Sequence, residues 1–226
     1  MKNTSKYFGW AVAIFVSSFS TVGFAGDLIV FNDPNLIAMH SSGKIFGYYG
    51  AEDDRTSCAF FFSQKSGVDA FPQKGADAVI DISTFVLPGK DYDYDHRDKD
   101  FDISGKIFVK NGKWVIQTAE NQAGCDNATG VFKFGPDEQD AVHYTVAQSS
   151  PALGIRVVEK KTFFNNRDQR SFVSRSGFLV GGNVVAVTET DRDFSYVRFT
   201  NPSTGKTTKG WVKTGDLGNP FPASPQ

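Results

Sequence analysis

Phe101–Thr118 reads FDISGKIFVKNGKWVIQT. Two runs rich in β-branched and aromatic residues, Phe101–Val109 and Trp114–Thr118, flank Lys110-Asn111-Gly112-Lys113. Asn-Gly supplies the positive φ angles that a type I′ turn needs, so the stretch reads as one β-hairpin. The same pattern recurs on either side. Lys44–Tyr49, Cys58–Ser63, Ala78–Thr84, Gly130–Phe134 and Val142–Ala147 are further strand candidates. Gly135-Pro136-Asp137 marks another turn. A short helical candidate is Pro34–Met39, with Asp33 as its N-cap. No stretch sustains apolar residues at helical spacing, and no internal repeat is present. Composition agrees, since 22 Phe and 22 Gly against 2 Met favour strands and turns. The expected class is all-β, with an antiparallel barrel or sandwich over residues 26–150.

The N-terminus reads as a cleavable signal peptide over residues 1–25. Lys2 and Lys6 form a basic start, and no acidic residue precedes Asp27. Trp10–Phe24 is apolar apart from Gly and small hydroxyl residues, and Gly23-Phe24-Ala25 puts small residues at −3 and −1 of a cut after Ala25. The run is about 15 residues long and broken by Ser17, Ser18, Ser20 and Thr21, where a membrane span needs about 20. The expected location is therefore periplasmic or secreted, with no stable membrane insertion after cleavage.

Export bears on the two cysteines. In an oxidising compartment Cys58 and Cys125 read as one disulfide closing a loop of about 67 residues. A catalytic cysteine would need a base beside it, and nothing local to His96 or His143 marks one. Charge is uneven: residues 26–154 hold 11 basic and 19 acidic groups, and residues 155–226 hold 11 basic and 6 acidic. Such a split is consistent with two domains or with halves that attract each other. The expected boundary is the small-residue stretch Ser149–Gly154, and the three prolines after Asn219 predict a loose tail over 219–226.

Residues 155–217 fall into a five-stranded order. Arg156–Lys160 is a first strand, Phe163–Gly177 a long polar loop, and Phe178–Val187 a strand with a Gly181-Gly182 bend. Thr188–Asp193 is a short charged loop, Phe194–Thr200 a strand, and Asn201–Gly205 a turn. Lys209–Val212 is a last core strand, and Lys213–Leu217 fits a tight helical turn. This order resembles the bacterial SH3 family, small barrels often joined to exported cell-wall proteins. The resemblance is carried by FLVGGNVVAV at 178–187, FSYV at 194–197, TKGWV at 208–212 and Asp216-Leu217. It implies an SH3-like five-stranded barrel over about 155–218. It also implies an aromatic-floored groove between the long loop and the short charged loop. By position the groove candidates are Phe164, Phe194, Tyr196 and Trp211, with core packing as the competing role, favoured for Trp211 and Phe178. Phe194 stands where the family often has Trp, so ligand preference does not transfer directly. Flat rings suit a stiff, extended ligand.

The oddest segment is Asp91–Asp102, DYDYDHRDKDFD. Asp91, Asp93 and Asp95 match the first half of a calcium loop, and Asp102 falls at its twelfth position. His96 replaces the turn glycine and Asp102 the usual Glu, so the expectation is no metal, with calcium as the weaker alternative. Asp91, Tyr92, Asp93, Tyr94 and Asp95 could instead form a loop that plugs a basic cleft, with Tyr as rigid contact area and Asp steering the encounter. A second acidic cluster, Glu52-Asp53-Asp54, lies before Cys58.

Enzymatic signatures are weak. The three histidines, His40, His96 and His143, have no strained Gly-x-Ser-x-Gly turn to serve. His and Cys do not cluster as zinc requires, and Gly181-Gly182 lacks the Lys-Ser or Lys-Thr of a phosphate loop. Paired carboxylates are too common here to be informative. The expectation is a non-catalytic, cofactor-free binding protein of the cell envelope, with peptidoglycan or an exported protein as partner and no nucleic acid. The alternative is an immunity or inhibitor protein that blocks a wall hydrolase or secreted toxin. The small, exported, cross-linked all-β plan is similar to that of periplasmic inhibitors of lysozyme-like enzymes.

Overall fold

The computed structural model describes residues 26–65, 76–89, 91–122, 124–126 and 131–223. The expected signal peptide lies outside them. The fold is all-β, in two antiparallel sheets.

The first sheet is a closed eight-stranded meander. Its strands are β1 Gly26–Phe31, β2 Leu36–Ser41, β3 Lys44–Glu52, β4 Ser57–Gln64, β5 Ala78–Phe85, β6 Ile103–Lys110, β7 Lys113–Thr118 and β8 Tyr144–Ala152. β8 closes on β1, so no edge is left open. The expected hairpin is β6–β7, and its turn uses Asn111 at φ 52° and Gly112 at φ 75°. The interior is filled by alternate residues such as Ile29, Leu36, Phe60, Phe62, Ile80, Ile107 and Trp114.

The second sheet holds β9 Gly154–Val158, β10 Thr162–Asp168, β11 Ser171–Leu179, β12 Val184–Asp191, β13 Phe194–Thr200, β14 Thr207–Lys213 and β15 Leu217–Gly218. Its order is β11-β10-β14-β13-β12-β9-β15. Thr214–Asp216 forms a single 3-10 turn before β15. Four of these strands, β9, β12, β13 and β14, match the expected order, and β15 follows the expected tight turn. The other two, β10 and β11, correct the reading of Phe163–Gly177 as a loop: polar side chains on a hairpin with both faces partly wet do not prevent strand pairing.

The two sheets share a core. Leu28, Val30, Ile37, Met39, Phe61 and Phe85 point outward from the barrel and meet Ala152, Ile155, Val157, Val184, Ala186 and Phe221. This contact explains three further departures from the sequence reading, and a fourth lies in the barrel itself. Leu36–Ser41 is a strand and not a helical turn, because Leu36 and Ala38 fill the barrel while Ile37 and Met39 meet the second sheet. Asp33 still accepts a bond from the Asn35 amide, but the turn leads into β2. Ser149–Ala152 is not a linker; it pairs with β1, and only Leu153 separates β8 from β9. The tail is not loose through Phe221, which is 7% exposed and packs on Phe46 with ring centroids 4.6 Å apart. Residues 131–134 form no strand, although Phe132 enters the barrel core; Gly130 lies outside the described residues.

Candidate functional site

The hairpin β10–β11 and the β12–β13 turn bring four rings together. Phe172 on β11 stacks on Phe194 at the start of β13, with centroids 4.0 Å apart and planes 18° apart. Trp211 on β14 lies 5.3 Å from Phe172 and 5.3 Å from Tyr196. Tyr196 and Trp211 are direct cross-strand partners, which fixes that pair by register. Asn165 on β10 faces Trp211 and donates its side-chain amide to the Trp211 carbonyl. Phe172, Phe194 and Tyr196 are half-buried, whereas Trp211 is 6% exposed and forms the floor. None of the four belongs to the core shared with the barrel.

Two guanidinium groups edge this surface. Arg192 lies 5.0 Å over the Phe172 ring and donates to the Arg170 carbonyl. Arg167 lies 5.8 Å from the Trp211 centroid and pairs with Asp191 at 3.1 Å and Glu189 at 3.7 Å. The acidic pair holds Arg167 in place, and the ring faces hold both cations close to the surface. The result is a preformed aromatic strip with polar edges.

Of the sequence candidates, Phe194, Tyr196 and Trp211 are brought together here. Phe164 is not: it is 3% exposed in the second sheet's own core, under Arg175. Phe178 is half exposed beside Phe163 and Lys161, not in a core. Phe172 was not singled out from sequence, because a residue inside an apparent loop carries no register.

The acidic loop is organised by its own side chains. Asp93 caps the 3-10 turn Tyr94–His96 by accepting from the Asp95 amide, and Asp98 caps the turn Lys99–Phe101. Arg97 donates from Nε and Nη2 to the Asp102 carboxylate, which raises the Arg97 pKa further. Its guanidinium lies 4.0 Å over Tyr94, which meets Phe85 edge-on. The Tyr92 hydroxyl donates to the Gly89 carbonyl and lies against the Gly181-Gly182 bend. Tyr92 and Tyr94 therefore pack on the shared core, leaving Asp91, Asp93 and Asp95 exposed. Asp102, the twelfth position of the calcium alternative, is paired with Arg97, and among the described residues no group of three His, Cys, Asp or Glu lies close together. Cys58 and Cys125 are joined as expected.

Compared with protein-family models, curated proteins and solved structures, the chain matches none. Fold and site together define an all-β protein with a closed barrel and a surface aromatic strip. No helix among the described residues is long and apolar enough to cross a membrane.

Proposed function

We propose that this chain is an exported, non-catalytic binding protein of the cell envelope, and that its second sheet is an SH3-like module contacting peptidoglycan or a wall-associated protein. The observation that carries the reading is the ring strip Phe172–Phe194–Trp211–Tyr196, set between a long hairpin and a short charged turn. The strand order supports it: β9 pairs with β12 and β15, β12–β14 form a meander, and a 3-10 turn precedes the last strand. The disulfide is consistent with an oxidising compartment. Rings already in contact lose little entropy on meeting an extended chain.

The test is sedimentation of the purified chain with isolated peptidoglycan. The double variant Phe172→Ala/Phe194→Ala should weaken binding by roughly 30-fold or more, as expected for a stacked pair of anchors that together contribute about 2 kcal/mol. Circular dichroism would check that the fold is retained. Equal sedimentation of both proteins would sink the assignment to this strip.

The inhibitor reading is favoured by one observation, the exposed carboxylates of Asp91, Asp93 and Asp95 on a loop held rigid from below. In that case a periplasmic hydrolase should co-purify in stoichiometric amount. The variant Asp93→Lys/Asp95→Lys should then slow association by about tenfold at low salt. An association rate unaffected by these changes would remove the loop from the interface.

A further inference from the structure

A second concave site lies where the two sheets diverge. It is a cleft of about 520 Å³, within the range of roughly 300–1,000 Å³ common for small-molecule sites. The barrel contributes Phe46, with the fully buried Met39 behind the wall, the junction between the sheets contributes Leu153, and the C-terminal stretch contributes Phe221. These give it apolar walls. None of the four rings of the aromatic strip lines it.

Its charge is one-sided. Arg156 and Lys44 both line the cleft, and no Asp or Glu does. This occurs in a chain whose formal net charge is −1, with the acidic excess in the barrel half. Arg156 follows the junction on β9. Its guanidinium folds back over Gly154, where a Cβ would collide with Nη1, so glycine makes room for this pose. Nη1 donates to the Ile155 carbonyl at 2.9 Å. A guanidinium has five N–H donors, so one such bond leaves most of the fork unused.

Arginines differ in compensation: Arg198, like Arg156, is half-buried with its pKa lowered by burial, but it does not line this cleft. Arg97, Arg167 and Arg192 each pair with a carboxylate. Arg156 is half-buried, and among the described residues no carboxylate forms an ion pair with it. Burial lowers its pKa, which reports a charge that has lost water without gaining a counter-ion. An uncompensated, partly desolvated cation is costly to the free protein, and an anionic ligand removes that cost on binding.

We propose that this cleft binds a small amphiphilic carboxylate, its acid group on Arg156 with Lys44 beside it, and its apolar body against Phe46, Leu153 and Phe221. The fork geometry of guanidinium suits a carboxylate, which it can hold by two parallel hydrogen bonds. The apolar walls select for a hydrocarbon or an apolar side chain next to the acid. Two sources share this chemistry: a free medium-chain acid, and the C-terminal carboxylate of a short apolar peptide.

Calorimetry and NMR on the purified chain test the site with octanoate, octanamide, N-acetyl-Leu-Leu as the free acid, and its amide. The expected result is that at least one acid binds about tenfold or more tightly than its amide, the margin of a charge-assisted hydrogen-bonded pair. It should shift the resonances of Gly154, Phe46 and Phe221. The acid that binds identifies the source. Arg156→Gln should lose about tenfold in affinity for that acid, and Lys44→Gln should lose less, since Lys44 is exposed. Phe172→Ala/Phe194→Ala should leave acid binding unchanged, which separates this site from the aromatic strip. The acid-over-amide preference is read on the unaltered chain, so it stands even if Arg156→Gln folds poorly. Equal binding of acids and amides, no acid binding tighter than about 10 mM, or a well-folded Arg156→Gln protein with unchanged affinity would each overturn the proposal.

Discussion

Replacing both Cys58 and Cys125 by alanine should lower stability by about 4 kcal/mol, the chain-entropy value for a loop of this length. For a chain near 200 residues this corresponds to a fall in Tm of roughly 10 °C. The two cysteines are 67 residues apart and are 0% and 1% exposed. Cys58 opens β4, opposite Ala51 on β3, while Cys125 lies in the long connection from β7 to β8. The described residues of that connection form no strand or helix, but they include Phe132, which enters the barrel core edge-on to Tyr49 and Phe60. Gln122 on the same segment donates to Thr84 Oγ1 and to the Phe101 carbonyl. The cross-link therefore restricts the unfolded chain and also holds a plug in the barrel. Thermal unfolding followed by circular dichroism, with and without reductant, measures the effect. A Tm that moves by less than about 3 °C, under 2 kcal/mol at this size, would mean that the connection is held by packing alone.

Phe85→Ala should be nearly as damaging, at about 3–5 kcal/mol for a fully buried phenylalanine. Phe85 is 1% exposed and stacks on Phe61 with centroids 5.6 Å apart. It also meets Tyr94 at 5.0 Å and Phe221 at 6.3 Å, so it joins the barrel, the acidic loop and the C-terminal stretch. The location of the loss is more informative than its size. Trp114 lies in the barrel core and Trp211 in the second sheet, so each reports on one half. With Trp114→Phe and Trp211→Phe used to isolate each signal, Phe85→Ala should lower both midpoints together. A shared core makes the halves unfold as one unit. If only the barrel signal moved, the halves would be independent domains and the shared core would not couple them.

Several elements were legible because local chemistry decided them. The Asn111-Gly112 turn fixes the β6–β7 hairpin through positive φ angles, whatever packs around it. The cysteine pairing followed from there being two cysteines and an expected oxidising compartment. Four strands of residues 155–217, β9, β12, β13 and β14, followed from alternating runs separated by Gly, Asn and Pro. Tyr196 and Trp211 could be named as groove candidates from the strands that carry them.

Other features needed the folded chain. LIVF in β1 and LIAM in β2 show no polar alternation, because both faces of these strands are buried. A run without alternation cannot be told from a buried helical turn by period alone. For the same reason Ser149–Ala152 looked like a linker: its β1 partner lies more than a hundred residues away. Tyr92 and Tyr94 looked like exposed contact residues until Phe85 and the Gly181-Gly182 bend were placed beneath them.

Local propensity and turn chemistry were therefore enough to establish an all-β chain, its best hairpin and its disulfide. Only the tertiary structure decided that two sheets share one core, that Phe172 completes the aromatic strip while Phe164 leaves it, and that Arg156 faces a cleft without a counter-ion. Each of these depends on which residues distant in sequence meet, and no local rule encodes that.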